Sequence, residues 1–149
     1  AGYYAREAND ETEMLKLLYQ TLRALTNIHI PNELIRCIYE LKTITVNGEG
    51  PQVMECIMCG DKEREKVFSI RRGGVICTRC AGHISDGIRL LPSTLYTLQY
   101  IVCSPVEKLY TFVVKEDVLK ELKNLTKAYL DEYLGKRFKS LEILETIVR

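Results

Sequence analysis

Residues 56–80 have the sequence CIMCGDKEREKVFSIRRGGVICTRC, in which two C-x-x-C motifs are separated by seventeen residues. Each C-x-x-C turn lets two thiolates reach the same ion, and two turns together complete the tetrahedral sulfur shell that Zn²⁺ prefers at a structural site. The sequence therefore predicts one structural Zn²⁺ bound by Cys56, Cys59, Cys77 and Cys80. A disulfide pair or an iron site is the alternative that the motifs leave open.

The residues between the two motifs predict a β-hairpin. Residues 67–70 and 75–77 favour the β conformation, and they flank the turn sequence Arg71-Arg72-Gly73-Gly74. A hairpin at this place would bring the second motif back to the first, as a zinc ribbon requires.

The first fifty residues predict two amphipathic helices. The first spans residues 10–27, where Asp10 and Glu13 resemble the start of a capping box. Its predicted buried face is formed by residues at spacings of three and four, namely Met14, Leu15, Leu18, Leu22 and Leu25. The second helix begins at Pro31, because a missing N–H costs nothing in a first turn, and it ends at Gly48.

The chain beyond residue 80 predicts further helices. A short helix begins at Pro92 and runs to about residue 102, and Ser104-Pro105 ends it. A long helix follows, with an apolar stripe formed by Val118, Leu122, Leu125, Tyr129 and Tyr133. Gly135 is the predicted C′ residue of this helix, and a final short helix begins at Leu141. The predicted fold is mostly α: a small helical bundle with an inserted four-cysteine zinc β-hairpin.

The length and composition favour one compact domain over residues 1–149 with a metal-stapled insert. We expect three parts: a two-helix segment at 1–50, a zinc module at 51–84 and a helical segment at 85–149. Because the first residue is alanine, we expect the chain to begin inside a longer protein. The sequence shows neither a membrane-length apolar run nor a signal peptide, and its cysteine usage favours the reducing cytoplasm.

The sequence offers no catalytic group, so we expect a protein that is not an enzyme. No serine or cysteine has a base at motif spacing, and a zinc with four sulfur ligands has no open position. His83 follows Cys80 by three residues and is an alternative ligand, although the four sulfurs already fill the shell. We expect Cys37 and Cys103 to be buried small apolar residues rather than reactive thiols.

The net charge of +1 conceals a basic segment around the predicted metal site. Residues 56–80 contain six Lys or Arg against three Asp or Glu, a balance of +3. The candidate DNA-binding residues are therefore Lys62, Arg64, Lys66, Arg71, Arg72 and Arg79. The alternative interpretation is an ordinary charged surface, because Glu63 and Glu65 alternate with these cations and a small zinc hairpin has little other surface.

A second basic cluster lies at residues 135–140, which have the sequence GKRFKS. Cations at this place would complement the negative end of the long helix. That explanation does not account for Phe138, which stands among Lys136, Arg137 and Lys139. An apolar side chain ringed by cations instead suits an acidic peptide that ends in hydrophobic residues. Both interpretations remain open.

These stretches together resemble the RecO family of bacterial recombination and repair proteins. Residues 129–140, YLDEYLGKRFKS, are similar to the ending of that family. The successive pieces CIMCG, FS, GGVIC and CAG of residues 56–82 are similar to its zinc module, in the same order. The two preceding helices also resemble those of the family, so the similarity covers essentially the whole chain.

The resemblance implies that the chain is the C-terminal zinc and helical domain, without the N-terminal OB-fold of such proteins. It also implies a recombination mediator that binds single-stranded DNA, mainly through that OB-fold, and anneals complementary strands. With RecR, such a mediator loads RecA onto DNA coated by single-strand-binding protein. The helical domain would dock the acidic C-terminal tail of that protein, and the candidate residues are Lys136, Arg137, Phe138 and Lys139.

Two other functional classes remain as alternatives. A zinc-ribbon accessory protein of transcription or translation would bind duplex DNA or RNA through the hairpin, but it would have a strong basic bias rather than a net charge of +1. A zinc-stabilised scaffold would bind only proteins, and a failure to bind nucleic acid at low salt would favour it.

Overall fold

A computed structural model describes the backbone of residues 2–148 and the side chains of residues 11–135. The protein is mostly helical, with four helices and one small antiparallel sheet among the described residues. The elements in chain order are α1 (Gly2–Leu25), α2 (Asn32–Val46), β1 (Lys66–Ser69), β2 (Gly74–Cys77), β3 (Gly87–Arg89), α3 (Pro92–Cys103) and α4 (Glu116–Val148). Short 3₁₀ turns at Ala81–His83 and Val106–Lys108 precede β3 and α4. No helix in the described part of the chain combines the length and apolarity that a bilayer span needs.

Helix α1 differs from the prediction in its start and in its buried face. It begins at Gly2, so Asp10 lies within the helix and does not cap it. Of the predicted face only Met14 packs against the core, and the other four residues are exposed, with exposed fractions of 45–69% at Leu15, Leu18, Leu22 and Leu25. The face that packs against the core is instead formed by Met14, Leu17, Thr21 and Ala24. Both sets have the same three-four-three spacing and differ by one residue, so contact with α2 and with Val106–Lys108 decides between them.

Helix α2 agrees closely with the prediction. It begins at Asn32, directly after Pro31, and Gly48 follows its end with a φ of 85°. Cys37 is buried on this helix, as expected. Cys103 is exposed, which corrects the prediction. It is the last residue of α3, and it lies about 200° around that helix from the fully buried Ile101.

Lys42 of α2 forms hydrogen bonds with the end of α3. Its side chain is buried, and its ammonium Nζ donates hydrogen bonds to the carbonyl oxygens of Ile101, Val102 and Ser104 at 3.2, 3.1 and 2.8 Å. The last carbonyl groups of a helix have no partner within it, so the ammonium group satisfies groups that would otherwise be orphaned. Burial lowers the pKa of Lys42.

Helix α4 has the predicted stripe but a different end. Val118, Leu122 and Leu125 are buried, and the opposite residues Lys120 and Lys123 are exposed. The helix continues through Gly135 to Val148, so Gly135 is not a C′ residue and no separate helix begins at Leu141. A glycine inside a helix costs only about 1 kcal/mol relative to alanine. That cost does not end a helix of 33 residues.

Helix α3 begins with Pro92 at its first position, and α4 supplies its cap. The prediction that the segment from Pro92 to Thr94 caps the helix is wrong, because the structure shows no side-chain cap hydrogen bond at this end. The Glu121 carboxylate accepts hydrogen bonds from the Leu91 N–H at 3.0 Å and from the Thr94 hydroxyl at 2.6 Å. An acidic group at this end also complements the positive end of the helix.

The sheet contains the predicted hairpin and one strand more. Strand β1 pairs with β2 on one side, in the register Lys66 with Cys77, and with β3 on the other. Phe68 and Val75 belong to the core that the helices share. Val67 and Ile76 instead pack with Cys56 and Cys77 in a second cluster. The two faces of the hairpin therefore contact the helical core and the cysteines respectively.

Candidate metal centre

The fold brings the sulfur atoms of the two C-x-x-C motifs into one group. The Sγ atoms of Cys56, Cys59, Cys77 and Cys80 all lie within 4.8 Å of one another. The Sγ atoms of Cys59 and Cys77 are 3.6 Å apart. Sulfur atoms bound to one tetrahedral Zn²⁺ lie roughly 3.8 Å apart, given Zn–S bonds of about 2.3 Å. The spacing therefore fits a single ion held by four thiolates.

Backbone hydrogen bonds shape the first motif into a tight turn. The Gly60 N–H donates to the Cys56 carbonyl at 2.8 Å, and the Cys56 N–H donates to the Asp61 carbonyl at 2.9 Å. Gly60 has a φ of 78°, a backbone conformation that residues other than glycine rarely adopt. The Met58 N–H points at the Cys56 sulfur, with a distance of 3.4 Å between N and Sγ. This turn directs both cysteines of the motif toward one point.

The second motif begins at the end of β2 and is fixed by the sheet. Cys77 is the last residue of that strand and is fully buried. The Cys80 N–H donates to the Cys77 carbonyl at 3.0 Å, and the Thr78 N–H donates to the Glu65 carbonyl at 2.9 Å. The hairpin register therefore determines where the second pair of thiols lies relative to the first.

The protonation of the thiols reflects their crowding. Burial by itself would raise the pKa of Cys56, but hydrogen bonds from the backbone of Cys77, Cys59 and Met58 outweigh it and lower the pKa to about 6. The pKa of Cys80 is raised to about 12, chiefly through its hydrogen bond with the Cys77 side chain. Four thiolates this close repel one another, and a divalent cation removes that repulsion. The donor set therefore fits a soft divalent ion such as Zn²⁺.

His83 lies outside this group of donor atoms. It ends the turn Ala81–His83, where its backbone N–H donates to the Cys80 carbonyl at 3.2 Å, and its side chain is exposed. Among the described residues, the group that can bind a metal consists of the four cysteines alone.

The six basic candidates of residues 56–80 do not form one cluster. Arg71 and Arg72 lie in the hairpin turn, whereas Lys66 lies opposite Cys77 at the other end of the strands. The Arg64 guanidinium is 3.1 Å from the Asp61 carboxylate. The Lys66 ammonium donates to the Arg64 carbonyl at 2.8 Å, and Lys62 and Arg79 are exposed.

The hairpin turn has acidic neighbours that periodicity did not reveal. The Asp86 carboxylate accepts hydrogen bonds from the Ser69 hydroxyl at 2.8 and 3.0 Å and from the Arg71 N–H at 3.2 Å. Arg72 lines a small cleft together with Glu49 and Glu132. Because Asp86 is seventeen residues from Ser69 in the sequence, only the pairing of β3 with β1 brings the two together.

Tyr129 of α4 contacts both the hairpin and the segment that precedes it. Its hydroxyl donates to the Glu49 carbonyl at 2.6 Å, and its ring packs edge-to-face against Phe68 with centroids 6.2 Å apart.

The other basic cluster, Lys136, Arg137, Phe138 and Lys139, has side chains outside the described residues. The prediction placed this cluster at the end of the long helix, but its backbone lies within α4, which continues to Val148.

The chain is similar to one family of known proteins. The family model described as "Recombination protein O C terminal" matches residues 4–142. The DNA repair protein RecO of a Thermoanaerobacter species is 30% identical over 142 residues, which cover 95% of this chain and 57% of that protein. The DNA repair protein RecO of Bacillus pumilus is 31% identical over 131 residues, which cover 88% of this chain and 51% of that protein.

A third relative has similar coverage. The DNA repair protein RecO of Acetivibrio thermocellus is 28% identical over 145 residues, which cover 96% of this chain and 57% of that protein. The chain therefore spans a little over half the length of the curated relatives that it matches. No solved structure matches it.

Proposed function

Because the chain belongs to the RecO family, we propose that it is the zinc-stabilised helical part of a recombination mediator. The family acts in DNA repair and recombination, and within that process we assign this chain a non-catalytic function. It docks other repair proteins and supplies accessory contacts to DNA, while strand annealing and RecA loading are activities of the whole protein. The supporting observation is the group of four thiols beneath a hairpin that shares the helical core.

A structural Zn²⁺ bound by Cys56, Cys59, Cys77 and Cys80 is the cofactor in this proposal. Four sulfur ligands leave no position for a water molecule or a substrate, which supports a structural rather than a catalytic role. When bound, the ion neutralises the thiolates and holds the two turns together. The hairpin residues then keep the Arg71-Arg72 turn at a fixed place beside α4.

Accessory DNA binding is proposed for the hairpin turn and for the basic residues around the two C-x-x-C motifs. Arg71 and Arg72 are exposed, and the nearby Asp86 bonds to the backbone of Arg71 rather than to its guanidinium. Arg72 shares its cleft with Glu49 and Glu132, so we assign the larger phosphate contact to Arg71. We propose weak binding that depends on salt and not on sequence.

Replacing both Arg71 and Arg72 with alanine is expected to weaken binding to single-stranded DNA equally for all sequences. The slope of log K against log salt should fall by about one to two units, since each lost phosphate contact to a single strand contributes roughly 0.7. The measurement is fluorescence anisotropy of a labelled oligonucleotide over a salt series. The matched control is the double substitution Lys16→Ala with Lys123→Ala, which removes the same charge from residues that pair with Glu107 and Glu33. An unchanged slope would assign the two arginines to solubility.

The acidic C-terminal tail of single-strand-binding protein is the proposed protein partner, with RecR as a second. Lys136, Arg137, Phe138 and Lys139 are the proposed contacts to the tail. An apolar contact would set the residence time, and the surrounding cations would set the association rate and its salt dependence. Because the tail is short and must be ordered, its affinity should be micromolar, about −7 to −8 kcal/mol.

Arg137→Ala or Lys136→Ala is expected to weaken binding of the tail peptide by about fivefold each, equivalent to about 1 kcal/mol. The measurement is a titration of a labelled tail peptide at low salt, with circular dichroism to show that each variant is folded. Lys16→Ala is the control and should leave the affinity unchanged, because Lys16 lies on α1 and pairs with Glu13 and Glu107. If the folded chain does not bind at tens of micromolar, the tail is not its partner, and the scaffold interpretation takes precedence.

A further inference from the structure

A groove between α3 and the start of α4 belongs to none of the sites described above. Its volume is about 680 Å³, and its lining is mostly apolar and aromatic. The main lining residues are Tyr96, Tyr100, Phe112, Val113, Val114 and Lys115. Tyr96 and Val113 are 69% and 61% exposed, respectively, so the groove presents neighbouring apolar side chains to solvent.

Residues 111–115 along this groove resemble a β-strand without a partner. Their sequence, TFVVK, favours the β conformation, and their burial alternates as in a strand. Phe112 and Val114 pack against the core, whereas Thr111, Val113 and Lys115 are exposed. The backbone N–H and C=O groups of residues 112–114 form no hydrogen bond with any described residue. A strand with open backbone groups is a template for pairing with another chain.

The charge along the groove is positive. Lys115 is the only charged residue among the described residues that line the groove, and no described carboxylate forms a salt bridge with it. An apolar groove with one cation suits a ligand that combines apolar side chains with a carboxylate.

We propose that residues 111–115 bind an extended peptide of a partner protein as an added β-strand. Alternate apolar side chains of the peptide enter the groove, and a carboxylate of the peptide contacts Lys115. A helical partner would fill the groove but leave the backbone of residues 112–114 without hydrogen bonds, so an extended peptide fits better. Five residues at about 3.3 Å each match a peptide of about five residues, with the two backbones about 4.8 Å apart.

The test uses a fluorescein-labelled peptide, Thr-Val-Thr-Phe-Thr-Val-Asp with a free C-terminus, in fluorescence polarisation against the full chain at low salt. We expect saturable binding. N-methylation of alternate amides in the peptide removes the donors of one edge and should weaken binding at least about tenfold. Replacing the terminal aspartate with lysine amide should weaken it about fivefold. Hydrogen exchange should slow at the amides of residues 112–114 when the peptide binds.

Two matched pairs of protein variants locate the binding. Tyr96→Ala should weaken binding about tenfold, whereas Tyr19→Ala, on a tyrosine of α1 that is 59% exposed, should leave it unchanged. Lys115→Glu should weaken it, whereas Lys120→Glu on α4 should not. The proposal is overturned if the folded protein shows no saturable binding up to about 1 mM. Binding that survives both N-methylation and Tyr96→Ala would overturn it as well.

Discussion

Cys77→Ser is expected to abolish zinc binding and to unfold the sheet, with a loss of at least ~5 kcal/mol in the free energy of unfolding. Cys77 is fully buried and packs with Val67 and Ile76, so the loss of the ion exposes this face of the hairpin. The opposite face contributes Phe68 and Val75 to the helical core, which also loosens. Part of the helical signal should survive, because α2 also contacts both α1 and α4 directly.

Elemental analysis of the unaltered chain should find about one zinc per molecule, and thermal unfolding followed by circular dichroism should show the loss in the variant. Cys103→Ser is the matched control, since Cys103 is exposed and lies outside the group of four thiols. It should retain both the zinc and the stability. A metal-free protein that is fully folded and insensitive to a chelator would show that the four cysteines have another role.

Lys42→Met is expected to lower the free energy of unfolding by about 3 kcal/mol. Methionine retains most of the aliphatic side chain but removes the ammonium group that binds the carbonyl oxygens of Ile101, Val102 and Ser104. Those oxygens then lie at the end of α3 without a protein partner.

Urea denaturation of the two proteins measures this difference. Lys120→Met is the control, because Lys120 is exposed on α4, and it should change the stability by less than about 0.5 kcal/mol. A loss below about 1 kcal/mol for Lys42→Met would mean that water replaces the ammonium group at little cost.

The four-thiol group could be predicted from the sequence because its information is local. Each C-x-x-C motif forms its own turn, and the Gly-Gly sequence between them returns the chain. The α4 stripe was predictable for the same reason, since its period belongs to one helix. Gly135 misled the prediction because a glycine at C′ and a glycine inside a helix look alike in sequence, and only the backbone conformation distinguishes them.

Features that depend on tertiary contact could not be predicted in this way. Helix α1 has two apolar or small-residue stripes one position apart, and the neighbouring elements choose the one through Leu17. Strand β3 is only three residues long and has no apolar alternation of its own. The hydrogen bonds of Asp86 and Lys42 join residues that are far apart in sequence. The segment 111–115 did carry a local signal, namely its β-favouring composition, but no strand among the described residues pairs with it.

Because the hairpin contacts the cysteines on one face and the helices on the other, metal affinity and helix packing should be coupled. One face of β1 and β2 contacts the cysteines and the other face contacts the helices, so neither side can be altered without a change in the other. By linkage, the factor by which a bound zinc ion would stabilise the folded helical core equals the factor by which the folded core would strengthen the binding of that ion. The dissociation constant of an ion bound by the four cysteines would therefore report how well the helices on the opposite face of the hairpin are packed.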